Sequence, residues 1–379
     1  MARVPKIVND SLPLQCRGSR VNLMQAFDKA WGDAYSKAML TIKEISKMAG
    51  VSPTTVSNVI HGRTGKVSPV VRDKVKRILK EVNYAPNMAA NILAHENSRI
   101  VGVVFFSEPR RDETQFEDPF SFTILGNIEW ELRQLGYYMM VHTTSDQNEV
   151  LRFVQSWKLA GVIILWVPRE IIPRISNQVS CPVVHIDSYD YDIEGDMRYY
   201  RVGIEDRSGG YQISEYLQSM GHRQMVFLSN GPEKTGSDYM RFLGLRDALE
   251  EQGRSLAEEN FIPLSRVKEE RYALYEELSS PDTSCTAVVC SADYYASEAV
   301  SYYQKTGITV PDDISIIGFD DNIFSRILTP SITTVHQDTG KRGRLAVDIL
   351  IKLVEGEKVD PPHVTLPVYL QIRDSVKRI

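Results

Sequence analysis

Apolar and polar positions follow two different regimes along this chain, and the change falls near residue 99. Between Thr41 and Ile60, Ile42, Ile45, Met48 and Ala49 recur at three- and four-residue spacing, which predicts one apolar face on a short helix. Gly50 marks a turn, with Val51 placed to fill the gap between helices. Ser52 can then cap a second helix that carries Pro53 in its first turn, where the missing amide costs nothing. On that helix Val56, Val59 and Ile60 point inward, leaving Thr54, Thr55, Ser57 and Asn58 outside as short hydrogen-bonding side chains. A third amphipathic helix follows Ser68 and Pro69, with Val71, Val75, Ile78, Leu79 and Val82 on one face. Two short helices around a tight turn, with a polar outer face, fit a DNA major groove; an ordinary helical hairpin in a core is the alternative.

Beyond Arg99 the pattern becomes strand followed by helix, repeatedly. IVGVVFF from Ile100 to Phe106 is a continuous apolar run, as a strand buried on both faces requires. Similar runs begin at Tyr138, Gly161, Pro182, Met225, Thr286 and Ile314, with helical patterns between them such as Ile124 to Leu135, Ser208 to Met220 and Met240 to Gln252. Strand and helix in alternation predict a parallel sheet covered on both faces, and this part of the chain is long enough for two such units.

Charge sharpens the division. Lys and Arg number 44 against 49 Asp and Glu, a net of −5. The stretch from Thr41 to Ser98 holds 9 basic and 4 acidic residues, so a basic module precedes an acidic body, which suits phosphate contact. A length of 379 residues and 42% hydrophobic content predict two or three domains with substantial cores. No apolar run approaches the roughly 18–20 residues that span a bilayer, and the N-terminus lacks the apolar core of a secretory signal. Cys16, Cys181, Cys285 and Cys290 show no zinc-ligand spacing and read as thiols in a reducing cytoplasm. Catalytic motifs are missing: Gly62 to Lys66 has the wrong glycine spacing for a phosphate loop and follows no strand, and there is no nucleophile elbow, metalloprotease helix or dinucleotide fingerprint. No enzyme, cofactor or metal is predicted.

The segment TIKEISKMAGVSPTTVSNVIHG, continued by VSPVVRDKV and ILKEVNYAPNMAANILA, resembles the headpiece of the LacI/GalR family of bacterial transcription repressors. The resemblance runs from Thr41 essentially to the C-terminus. It implies that Pro53, Thr54 and Asn58 read operator bases, with Thr55, Ser57 and Ser68 at phosphates. Many relatives carry Arg where Asn58 stands; Asn pairs with adenine through its amide, so operator preference is expected to differ from theirs. The family's hinge helix corresponds to Pro86 to Ala94, with Ala89 and Ala90 small enough for paired hinges to approach and Leu93 matching the leucine wedged into the minor groove.

In open parallel sheets, ligands sit beyond the carboxyl ends of strands. Trp166 and Asp187 end two runs, Asp293 follows a third, Asp320 closes a fourth, and Arg241 lies near the start of a helix. The resemblance implies a two-lobed, periplasmic-binding-protein-like body with a ligand cleft, and contacts at Phe120, Trp166, Asp187, Arg241, Asp293 and Asp320. Carboxylates and an Arg suit paired hydroxyls, and an aromatic face stacks on a sugar ring, so a sugar-like effector is expected. Asp293 reads equally as a helix N-cap, and Trp166 as core. Ala292 stands where relatives often have Asn, and Ser188 follows Asp187 where Arg is common, so a standard hexose pocket is not implied.

The domains expected are an N-terminal extension 1–40, a helix-turn-helix unit 41–85, a hinge and linker 86–98 and a body 99–379, with an N-lobe of about 99–201 and 337–361 and a C-lobe of about 202–336 and 362–379. Met39 falls where family members begin, so Met1 to Ala38 reads as an upstream extension; alternatively Leu23 to Ala38 adds a helix. The expectation is an effector-controlled repressor in the cytoplasm, associated with the nucleoid. As a homodimer it binds a pseudo-palindromic operator in double-stranded DNA; without a C-terminal leucine heptad it is not expected to form tetramers. Two rivals keep parts of this layout: the same architecture governed by a protein partner, and a transport-type solute-binding protein, which would leave the basic headpiece unexplained.

Overall fold

In the computed structural model, residues 40–60, 65, 67–82, 84, 98–108, 115–188 and 199–379 are described. The expected hinge at Pro86 to Ala94, with Ala90 and Leu93, lies outside them, as do the N-terminal extension and Met39. The chain divides into two compact units near residue 91.

The first unit holds three helices, α1 (Ile42–Ala49), α2 (Pro53–Ile60) and α3 (Pro69–Glu81). Thr41 starts α1 with a capping box: the Glu44 amide donates to Thr41 Oγ1 at 3.3 Å, while the Thr41 amide donates to Glu44 Oε2 at 2.7 Å. That bonding also holds the Glu44 carboxyl below its usual range. Gly50 ends α1 at φ 67°, a left-handed conformation that suits glycine, and so turns the chain tightly into α2. Ser52 caps α2 by accepting from the Thr55 amide at 3.1 Å, and Ser68 caps α3. Ile45, Ala49, Val56, Val59 and Val75 form the buried centre. Met48 departs from the expected apolar face: it is 52% exposed, and Ser46 is buried in its stead. A helix of two turns has room for one narrow buried stripe, and Ile45 and Ala49 fill it.

The second unit contains two six-stranded sheets. The first has the order β11–β5–β4–β3–β1–β2, from β1 (Ile100–Phe106), β2 (Tyr138–Thr144), β3 (Gly161–Leu165), β4 (Val183–Ile186), β5 (Tyr200–Ile204) and β11 (His363–Leu366), all parallel. The second has the order β12–β10–β9–β8–β6–β7, from β6 (Met225–Ser229), β7 (Phe261–Pro263), β8 (Ala287–Cys290), β9 (Ser315–Asp320), β10 (Thr333–His336) and β12 (Tyr369–Gln371); only β12 runs antiparallel to its neighbour. The helices are α4 (Pro119–Gln134), α5 (Gln147–Trp157), α6 (Ile172–Gln178), α7 (Asp206–Ser219), α8 (Gly236–Glu250), α9 (Lys268–Leu278), α10 (Asp293–Thr306), α11 (Ile323–Ile327) and α12 (Thr339–Val354). In each sheet the strand order reverses once, between β1 and β3 and between β6 and β8, and a ligand crevice belongs at those reversals.

The chain passes between sheets after β5, after β10 and after β11. The middle passage falls after His336, and the outer two fall after Ile204 and Leu366, later than Val202 and Pro361. β5 stays in the first sheet through Ile204, which pairs with Leu366 of β11. Arg201 and Gly203 interrupt the apolar run of β5, and the two prolines at 361 and 362 look like a break yet only precede a strand. The first lobe therefore extends to 204 and again to 366.

Candidate functional site

On the first unit, Pro53 and Thr54 are exposed on α2, and Thr55, Ser57 and Asn58 are half-buried along the same helix. Thr55 Oγ1 lies 2.9 Å from Ser52 Oγ, so its hydroxyl is steadied by the cap. Val56 and Val59 anchor the opposite face in the core, which fixes the outward angle of the polar residues. Ser68, at the start of α3, presents its hydroxyl at a helix N-terminus, where amides and dipole favour an anion.

On the second unit, a cavity of about 410 Å³ lies between the start of α4 (Pro119, Phe120, Thr123), the loop after β9 (Asp320 to Ile323) and the passage from β10 to α12. That volume suits a small ligand. A larger hollow of about 570 Å³ follows β5 near Arg201 and Met240, but contains none of the six predicted ligand residues. Phe120 and Trp166 stand with ring centroids 6.3 Å apart, and Phe105 packs on Trp166 at 5.3 Å. Trp166 is thus half-buried against the core of the first lobe while directly following β3 at the strand-order reversal. Three predicted residues hold left-handed backbone: Trp166 at φ 62°, Asp187 at 53° and Asp320 at 120°. Such conformations in non-glycine residues cost roughly 1–3 kcal/mol each and gather at ligand sites.

Arg241 on α8 is buried, with Nε donating to Asp206 Oδ1 at 2.7 Å, Nη1 donating to the Ser291 carbonyl at 2.5 Å and its guanidinium 3.6 Å from the centre of the Phe319 ring. The arginine is oriented on three sides before any ligand arrives. Asp320 accepts from Gln337 Nε2 at 2.5 Å. Gln337 in turn accepts from Arg342, which also donates to Asp187 and lies 5.3 Å from the Phe120 ring. A buried polar chain therefore runs from Asp320 in the second lobe to Asp187 in the first. Asp187 is committed to Arg342, and Ser188, standing where an Arg was expected, accepts from the Val167 amide at 3.1 Å.

Asp293 is not a helix cap; Ala292 holds that place, and Asp293 is the first residue of α10. Its carboxylate accepts from Thr334 Oγ1 at 2.6 Å and from the Asn322 amide at 2.8 Å, tying the loop after β9 in place. Burial pushes its pKa up to about 7, opposed by those bonds. Burial likewise raises Asp320 well above the usual carboxylate range, helped by the charges of Asp118 and Asp293 and opposed by Arg241.

Sequence reasoning missed Asp118, Asn322, Gln337 and Arg342. Asp118 caps α4 by accepting from the Phe120 amide at 3.0 Å, which brings a first-lobe carboxylate toward Arg241 and Asp320. Burial pushes Asp118 up to about 6, with the Phe120 amide and Arg241 opposing. Its only visible sign was a capping residue before Pro119. Folding raises this carboxyl from 3.8, so the native state binds its proton more tightly, and its cost to stability grows as pH rises from about 4 and is complete above about 6. Asp118→Asn retains the cap. Its melting temperature should match the parent near pH 4 and exceed it by about 2 °C or more at pH 7.5, as calorimetry would record. An equal or opposite difference at pH 7.5 would contradict the assignment.

Residues 41–87 match the family of bacterial regulatory proteins described as the lacI family, and residues 214–376 match the periplasmic binding protein-like domain. The HTH-type transcriptional repressor PurR of Histophilus somni is 28% identical over 349 residues, covering 90% of this chain and 100% of that protein. The PurR repressor of Haemophilus influenzae is 29% identical over 352 residues, with 90% and 100% covered. Among solved structures, a transcriptional regulator CelR–cellobiose complex superposes with a TM-score of 0.64 at 25% identity, covering 89% of this chain and 99% of that one. The lac repressor dimer bound to operator and an anti-inducer shares the fold with a TM-score of 0.74 at 24% identity, over the same shares of the two chains.

Proposed function

Since this chain belongs to the lacI family of bacterial regulatory proteins, we propose that it is a DNA-binding transcriptional repressor, not an enzyme, whose operator affinity is set by a small molecule in the cleft of its second unit. The carrying observation is the pairing of a capped helix-turn-helix unit with a two-lobed body whose cavity is lined by Phe120 and Asp320. A solute-binding protein would have no use for the first unit. The PurR relatives are named repressors and the CelR structure holds cellobiose, which supports the same division of labour here.

In this reading Pro53, Thr54 and Asn58 read bases, Thr55, Ser57 and Ser68 contact phosphates, and the hinge over 86–94 enters the minor groove through Leu93 beside Ala90. Phe120, Trp166, Arg241 and Asp320 contact the effector, joined by Asp118 and Asn322, while Asp187 and Asp293 position their neighbours. The chain acts as a homodimer in the bacterial cytoplasm, on the nucleoid. Exposed Phe122 and Trp130 on α4, with Tyr138 on the edge strand β2, supply an apolar face for a second copy. Two-fold symmetry then calls for two half-sites. The effector changes how the lobes sit, through Asp320, Gln337 and Arg342, and couples to DNA affinity by about 1–3 kcal/mol. Units 41–85, 86–98 and the body from 99 are the working domains.

Replacing Asn58 with Ala is expected to relax discrimination at one base pair per half-site by about 1–3 kcal/mol. Binding measured across operators substituted at every position would display the change at one symmetric pair of positions. An unaltered base preference would remove Asn58 from the reading surface.

A further inference from the structure

Buried positions on α12 fall at Thr339, Arg342, Ala346, Ile349 and Leu350, the spacing of one helical stripe turned toward the core of the first lobe. An apolar side chain at 342 would continue that stripe. Arg342 instead carries a guanidinium inward and has no exposed surface. Gly343, beside it, lets α12 lie close on α4: a Cβ there would come within 3.2 Å of Asn127 Cβ and 3.4 Å of the Ile124 oxygen. The packing of the two helices thus fixes how deeply the arginine reaches.

The guanidinium meets three groups. It lies 5.3 Å from the centre of the Phe120 ring, donates through Nη2 to Asp187 and donates through Nη1 to Gln337 Oε1. A planar group beside an aromatic ring, giving hydrogen bonds to a carboxylate and an amide oxygen, makes the kinds of contact that a sugar ring would make with the same residues. Phe120 and Gln337 both line the cavity, so Arg342 stands directly behind its wall. A buried ion pair adds little net stability over apolar groups of the same volume. What this pair does is occupy the site: Asp187 is satisfied within the chain, and the space beside Phe120 is filled. The bond to Gln337 has a further effect. With Oε1 accepting from Arg342, the amide is turned so that Nε2 donates to Asp320 at 2.5 Å. The open volume, about 410 Å³, lies toward Asp320 to Ile323, His336 and the start of α12. It is near the low end of the roughly 300–1,000 Å³ of ligand pockets.

We propose that Arg342 is a specificity-determining residue of the effector cleft: it takes the place of a ring beside Phe120 and against Asp187, and so limits the effector to a single sugar-sized ring seated toward Asp320. The inference rests on the effector-controlled reading above and specifies the size of the ligand. A second ring directed toward Asp187 would have to displace the guanidinium and break a buried ion pair.

Isothermal titration of the full chain with ribose, glucose and galactose, and with cellobiose, maltose and lactose, tests this directly. Removing the cation alone strands Asp187, so each opening of the cleft is made together with Asp187→Asn. In the parent, each disaccharide should bind at least about tenfold more weakly than the best monosaccharide. Arg342→Ala with Asp187→Asn opens the space beside Phe120, and at least one disaccharide should then bind about tenfold or more tightly than it does to the parent. Arg342→Met with Asp187→Asn removes the same charges but keeps the volume filled, so its disaccharide binding should stay within about threefold of the parent. Urea unfolding shows that each variant is folded, and Arg342→Val in the same background is the milder opening if the alanine pair is not. A parent that binds a disaccharide as tightly as a monosaccharide would overturn the proposal. So would a folded opening that gains no disaccharide, or a methionine pair that gains as much as the alanine pair. Operator binding by the parent separates the two levels: if it persists, only the role of Arg342 fails, and if it is absent, the repressor reading fails with it.

Discussion

An Arg342→Met variant is expected to lose about 3–5 kcal/mol of stability, and most of that loss should return when Asp187→Asn is added. Arg342 is wholly buried, as is nearly all of Asp187, and the two form an ion pair. Removing the cation alone strands a carboxylate in the interior, whereas removing both charges leaves two groups of similar volume that need no counter-ion; in both variants Gln337 Oε1 loses its donor. Asn also tolerates the left-handed backbone at φ 53° that Asp187 adopts. Urea unfolding of the four proteins of the cycle measures the coupling. A single variant within about 1 kcal/mol of the parent, or a double variant as unstable as the single one, would contradict the pairing. Because Gln337 extends the chain to Asp320, the double variant should also blunt the operator response to effector while leaving operator affinity without effector unchanged.

Gly210→Ala is expected to cost about 3 kcal/mol or more, although alanine is the better helix former. Gly210 lies on α7, where an added Cβ would sit 1.8 Å from the backbone oxygen of Arg241; the reciprocal contact, from Gly244 on α8, would fall 1.9 Å from the Arg207 oxygen. Both neighbours are backbone, so neither can swing aside, and the two helices must separate. That separation would draw Arg241 from Asp206 and from the Phe319 ring. Thermal unfolding would record the loss, and effector binding should fall with it at temperatures where the variant is still folded. A variant as stable as the parent would mean that α7 and α8 do not cross in backbone contact.

Much of this architecture was legible because it rests on local rules. Ser52 with Pro53 announces a helix start, Gly50 a turn, and IVGVVFF a strand covered on both faces. Residues at strand ends face a crevice whatever their partners, so Trp166, Asp187 and Asp320 could be singled out before their surroundings were known. Their partners could not. Arg342 sits among Lys341 and Arg344 in what reads as a solvated first turn, yet helical rotation directs it inward to a carboxylate 155 residues away in sequence. Asp118 went unremarked, yet it caps its helix, and the cap also carries its charge toward the other lobe. Asp293 looked like a cap and serves as a loop anchor, since its hydrogen bonds lead to Asn322 and Thr334 rather than to its own helix. Met48 failed because periodicity cannot tell which of two adjacent faces a two-turn helix will bury.

Selection of bound DNA from a random or genomic pool tests the central claim most directly. The predicted result is enrichment of one roughly palindromic site, with two half-sites related by the two-fold symmetry of a dimer. Substitution of Asn58 should then shift one symmetric pair of positions within it. Failure to enrich any sequence over the starting pool, with the folded full-length chain, would contradict the account.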